Sequence, residues 1–196
     1  MSEPGVRAMA IAGHTGDAPT ARAGLSSTDP AVKAAALGAL ERLGALDTDT
    51  LAAALSDSDV IVRRRAAEIS AAHPSVDLLA SLDDADDRVV EVAAWACGEH
   101  ESRRDAIVER LVALAGAADD PLVRESAVAA LGAIGDERGL ASILAACSDK
   151  PAVRRRAVLA LAPFDGPEVE AAVDQALLDR DWQVRQAAED LRRAQS

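Results

Sequence analysis

Aromatic residues are almost missing from these 196 residues: there is no Tyr, one Phe and two Trp, 2% of the chain. A sandwich or barrel core draws on aromatic and β-branched side chains, and no long alternating strand run is present, so an all-β fold is disfavoured. Basic excess is missing too, with 21 Lys and Arg against 33 Asp and Glu and a net charge of −12. A nonspecific duplex-DNA or anionic-membrane binder needs a basic footprint, and a single-strand groove needs stacking aromatics; neither is available. No apolar run is long enough to span a bilayer, and the opening MSEPGVRAMAIAGHTG lacks a basic segment followed by a long apolar one. Cys97 and Cys147 lack CxxC spacing and read as reduced thiols of a cytoplasmic protein without nucleic-acid or membrane partners.

What the chain does have is 49% hydrophobic residues, drawn mainly from Ala, Val and Leu, which suit closely packed helices. It also has a repeat. DPAVKAAALGALERLG, DPLVRESAVAALGAIG, KPAVRRRAVLALAPFDG and DWQVRQAAEDL share a D-x-x-V-R-like element. Its Val anchors are Val32, Val62, Val90, Val123, Val153 and Val184, spaced 28 to 33 residues apart, with a weaker copy at Val6. Such a period defines a repeat architecture.

Each unit divides into two helical halves. After the anchor, apolar residues recur with helical period, as in Val123, Ala127, Leu131 and Ile134. Before it lies a second amphipathic stretch: DTLAAALSD, SVDLLASLDD, DAIVERLVALAGA, RGLASILAACSD and EVEAAVDQALLDRD. Asp29, Asp59, Asp87, Asp120 and Asp181 stand three residues before their Val, where a carboxylate caps the following helix. Pro30, Pro121 and Pro151 suit first-turn positions, and Gly44, Gly135 and Gly166 the exits. A hairpin this short buries its apolar face only against a neighbour, and the small residues after each anchor, Ala127 and Ala157 among them, allow close helix approach. The expected fold is a right-handed α-solenoid (α-α superhelix) of about six helical hairpins plus an N-terminal capping helix. It forms a single domain over 1–196, with the cap at 3–13 and repeats at about 17–44, 47–73, 75–99, 103–135, 137–164 and 167–193.

VRESAVAALGAIGDERGL and VRRRAVLAL resemble HEAT repeats of the short, roughly thirty-residue kind called PBS-lyase HEAT-like repeats, over about Asp17 to Leu191. That resemblance is specific for fold and much less so for activity. It implies, as alternatives, a phycobilin-lyase-like enzyme or accessory subunit, or a HEAT-like DNA glycosylase. The −12 charge argues against the glycosylase, and nothing forms a recognisable bilin site. HEAT-repeat deoxyhypusine hydroxylases carry His-Glu pairs just after the Val-Arg of several repeats. Here those positions hold Arg64-Arg65, Glu125-Ser126, Arg155-Arg156 and Gln186-Ala187, so that activity is set aside.

The chemistry of single residues adds little. Arg63, Arg124, Arg154 and Arg185 read as a ladder with turn aspartates of their own or adjoining units, rather than as a phosphate-binding stripe. His14, His73 and His100, near helix exits, read as structural, and a metal site from His73, His100, Glu99 and Glu101 is disfavoured because neighbouring helix positions diverge. GHTG lacks a following GK[ST], no G-x-S-x-G occurs, and a thiol on an apolar helix such as Cys97 is ordinarily inert. Trp182 is expected to pack against the last turn. Neither cofactor nor metal is implied.

The leading expectation is a non-catalytic scaffold that binds a protein segment on its concave face. Positions +2, +6 and +9 from the anchors are the candidates: Arg64, Glu68, Glu99, Glu125 and Arg155, with Trp95 as anchor. Acidic turn edges favour a partner with a basic segment.

Overall fold

Aspartate, proline and glycine punctuate the chain where the helices begin and end. The computed structural model describes residues 5–100 and 104–194 and is all-helical there. The first residues of the cap expected at 3–13, the start of the repeat expected at 103, and Glu101 lie outside the described residues. The helices are α1 (Val6–Thr15), α2 (Ala18–Gly24), α3 (Pro30–Arg42), α4 (Thr48–Leu55), α5 (Val60–Ser70), α6 (Asp87–Glu99), α7 (Asp105–Ala117), α8 (Pro121–Ile134), α9 (Leu140–Ala146), α10 (Pro151–Ala160), α11 (Pro167–Leu177) and α12 (Trp182–Ala194). Two compact units result, Met1–Ser81 and Leu82–Ser196.

The caps follow one geometry. Asp29, Asp59 and Asp120 accept the amide hydrogens of Ala31, Ile61 and Leu122 at 2.8–2.9 Å, and Asp181 accepts that of Gln183 at 2.8 Å. The third repeat departs from expectation, because Asp86 and not Asp87 caps α6, accepting from the Arg88 amide at 3.0 Å. DDADDRVV offers two overlapping Asp-x-x-Val phases, and the cap selects the earlier one. The true anchor is therefore Val89, one residue before Val90. Gly135 closes α8 with φ 62°, and Gly44, just past α3, has φ 61°; both are left-handed conformations that favour glycine. Gly166 instead opens α11 as its N-cap.

The other departure lies just before Asp86. SVDLLASLDD carries only a 3-10 turn, Ala80–Asp83, in place of a first helix. The anchor spacing is shortest here, and an Asx turn, in which Asp77 accepts the Leu79 amide at 3.0 Å, uses up part of it. Val76, Leu78 and Leu82 remain buried without a helix to carry them.

In the first unit α1, α3 and α5 pack in sequence, with α2 and α4 laid against them. Leu37, Leu51, Val62, Ala66, Ile69 and Val76 belong to one apolar cluster there. In the second unit α6, α8, α10 and α12 form one row, and α7, α9 and α11 the other. Ala127 and Ala157 are fully buried, as close helix approach requires. Closest of all is the α8–α10 crossing, where a methyl on Gly132 would stand 2.6 Å from the Cα of Ala160. Gly132→Ala is therefore expected to cost about 1–3 kcal/mol, although Ala favours helix over Gly by about 1 kcal/mol. Gly116→Ala on α7 meets nothing within 4 Å and is expected to be neutral or stabilising. Thermal unfolding followed by circular dichroism compares the two.

A cation ladder ties successive repeats together. Arg124 grips Asp149 through Nε and Nη2 at 2.6 and 2.8 Å, and Arg154 grips Asp179 at 2.8 and 2.7 Å. In the first unit Lys33 stands in the Arg position and donates to Asp57 at 2.8 Å. Arg63 and Arg185 donate to turn carbonyls of their own repeats, at 3.0 Å to Asp57 and 2.7 Å to Asp179. The aspartates in these side-chain pairs are not the capping ones. Asp57 and Asp179 sit two residues earlier and use one carboxylate to hold the preceding repeat's cation, Lys33 or Arg154, and the amide of the capping Asp59 or Asp181.

Candidate partner-binding groove

In the second unit α6 presents Glu91, Trp95, Gly98 and Glu99 along one stripe, and α8 presents Glu125, Ser126, Ala129 and Ala133 opposite. Between them lies a groove of about 480 Å³, closed at one side by Arg156 of α10. The groove exists because its floor lacks side chains. A methyl on Gly98 would stand 2.9 Å from the Cα of Ala130, so α6 and α8 meet nearly backbone to backbone. Trp95 rises from this floor as a wall, 40% exposed.

Its charge is one-sided. Glu91, Glu99 and Glu125 surround the indole. Ser126 Oγ donates to Glu91 Oε1 at 3.3 Å, while Glu125 Oε1 is 3.5 Å from Arg156 Nη2. Glu99 is exposed and has no hydrogen-bond or ion-pair partner among the described residues. Arg156 Nε is buried and unpartnered among them. One guanidinium therefore offsets three carboxylates.

Of the residues singled out in the sequence, the groove brings together Trp95, Glu99 and Glu125. Arg64 and Glu68 lie exposed on α5 in the first unit and line no part of it; Glu68 pairs with Arg65 at 2.8 Å. Arg155 is half-buried on α10 and is replaced in the lining by Arg156. The groove lies on the α8 side of α10, toward its +3 position, and +2 turns away from it. Glu91 and Ser126 were missed in the sequence. Once Val89 is the anchor, Glu91 takes the +2 position and Trp95 the +6 position, so the missing information was the cap.

Other candidate chemistry is dispersed. His73 Nε2 lies 2.7 Å from Glu41 Oε2, and His14 Nδ1 lies 2.8 Å from the Ala10 carbonyl. Among the described residues no three of His, Cys, Asp and Glu converge as a metal site would require. Cys97 is buried and Cys147 half-buried, and burial pushes the Cys147 thiol up to about 11, keeping it protonated at neutral pH. Trp182, expected to pack, is 65% exposed at the start of α12. No helix among the described residues is long and apolar enough to cross a membrane.

Residues 75–152, which span the α6–α8 groove, match the family model of HEAT repeats. HEAT repeats make up that segment. The same repeat fold extends beyond the matched segment. A designed armadillo repeat protein solved in complex with the peptide (KR)4 superposes with a TM-score of 0.67 at 20% identity, over 91% of this chain and 99% of its own. YibA of Escherichia coli does so with a TM-score of 0.69 at 17% identity, over 93% and 70%. Computationally designed armadillo repeat proteins for modular peptide recognition give 0.61 at 19% identity, over 90% and 98%. No curated protein matches the sequence. At these identities the likeness is one of fold.

Proposed function

We propose that this HEAT-repeat chain is a non-catalytic scaffold that holds a basic segment of a protein partner in the α6–α8 groove. The observation that carries this reading is an exposed indole ringed by Glu91, Glu99 and Glu125. A Lys or Arg side chain laid on Trp95 gains a cation–π contact of about 0.5–2 kcal/mol, and each partly exposed carboxylate adds about 0.2–1 kcal/mol. Charge on the larger scale agrees: residues 82–196 hold 23 of the 33 acids but only 14 of the 21 bases. That field speeds the approach of a cationic segment more than it tightens the complex. Support also comes from the designed armadillo repeat protein, whose bound peptide is (KR)4.

The expected complex is of micromolar strength and sensitive to salt. Fluorescence anisotropy of labelled (Lys-Arg)4 tests this. Saturable binding that weakens about tenfold or more between low and high salt, and likewise in a Glu91→Gln/Glu99→Gln/Glu125→Gln variant, is the expected result. Absence of saturable binding at low salt, or indifference to the three substitutions, would refute the reading.

A further inference from the structure

The first unit has a groove at the same repeat positions, and its charge is reversed. Gly13 of α1 meets Ala39 of α3 as Gly98 of α6 meets Ala130 of α8, with 3.0 and 2.9 Å to the respective Cα atoms. This crossing sets the correspondence between the two grooves. Val6 and Ala10 stand where the second unit has Glu91 and Trp95, and Ala34 stands where it has Glu125. Arg42 takes the place of Ala133, and Arg65 that of Arg156. The groove between α1 and α3 measures about 320 Å³ and has no carboxylate among the described residues of its lining.

Two glycines make room for the guanidinia. A methyl on Gly38 would stand 2.6 Å from Arg65 Nη2, so that group lies against the backbone of α3. A methyl on Gly13 would stand 2.9 Å from Arg42 Nη1, which places the second group against α1. Arg42 has no ion-pair partner among the described residues, and Arg65 donates through Nη1 to Glu68, which lies outside the lining. Two guanidinia thus face an aliphatic floor of Ala34 and Ala35.

We propose that this groove is a second docking site, fitted to an acidic segment of a protein partner whose carboxylates meet Arg42 and Arg65 while a neighbouring aliphatic side chain covers Val6 and Ala34. Guanidinium forks suit carboxylates geometrically, and glycine at both contacts leaves room for them to lie against the helix backbones. This site is independent of the basic-segment groove, and either one stands if the other fails.

The test uses the full chain and a fluorescein-labelled peptide of repeated Glu-Leu-Glu at low salt. Saturable binding is expected, weakened about tenfold or more by Arg42→Glu and by Arg65→Glu and unchanged by Trp95→Ala. Far-UV circular dichroism and thermal unfolding unchanged in the two charge reversals serve as the folding control. The proposal is overturned if the wild type does not bind the acidic peptide, or if neither charge reversal weakens it. It is equally overturned if a labelled single-stranded oligonucleotide binds these arginines and the peptide does not displace it.

Discussion

Arg154→Ala is expected to destabilise the protein by about 2–4 kcal/mol, whereas Arg156→Ala, two residues along the same helix, is expected to stay within about 0.5 kcal/mol. The difference lies in burial and partners. The Arg154 side chain is 9% exposed, makes two parallel hydrogen bonds to Asp179, and donates a third at 2.8 Å to the Asp149 carbonyl. Its removal strands a largely buried carboxylate and a carbonyl. Arg156 is 39% exposed and reaches Glu125 only at 3.5 Å. Chemical denaturation of the two variants measures the contrast, and equal losses would mean that the ladder does not hold the repeats together.

The same pairs give the stability a pH dependence of definite sign. The hydrogen bond from Arg124 holds the Asp149 carboxyl below its ordinary range, and that from Arg154 does the same for Asp179; burial opposes both shifts without cancelling them. A carboxyl depressed in the folded state stabilises above its unfolded pKa of about 3.9, and that stabilisation is lost as pH falls through the lower folded value. Wild-type protein should therefore lose stability steeply below about pH 4. Asp149→Asn/Asp179→Asn should be less stable at neutral pH and show a shallower acid loss.

The second large effect concerns binding. Trp95→Ala is expected to weaken (Lys-Arg)4 about 10–30-fold, the size of a hot-spot aromatic, and to cost about 1–3 kcal/mol of stability, since more than half of the side chain is covered. Trp95→Phe should recover part of the affinity, since a phenyl face still attracts a cation. Trp182→Ala should leave affinity unchanged. Anisotropy titrations of the three variants make the comparison.

Repeat, helix pairs and stacking residues were legible in the sequence because period and capping are local. Asp29, Asp59, Asp120 and Asp181 cap as their spacing predicts. What stayed hidden depended on choices between near-equal local options. DDADDRVV contains two capping phases, and only folded geometry selects Asp86. SVDLLASLDD has apolar spacing compatible with a helix, yet too few residues separate it from the next cap, and it folds as a 3-10 turn. The arginine ladder was foreseen, but the turn acids serve two purposes, and spacing alone does not tell capping Asp181 from ladder Asp179. In the groove, Glu99 and Glu125 were identified from helical phase and Trp95 as a large side chain among alanines; Arg156 was missed for Arg155 because the groove takes +2 from one helix and +3 from the next.

The central claim is that a cationic segment lies against Trp95 between α6 and α8. The chain has two tryptophans, Trp95 and Trp182, so a ¹H–¹⁵N correlation spectrum contains two indole signals, assignable with Trp182→Phe. Titration with (Lys-Arg)4 is predicted to shift the Trp95 indole resonance progressively to saturation and to leave that of Trp182 in place. A stationary Trp95 signal in a sample that binds the peptide would contradict the account.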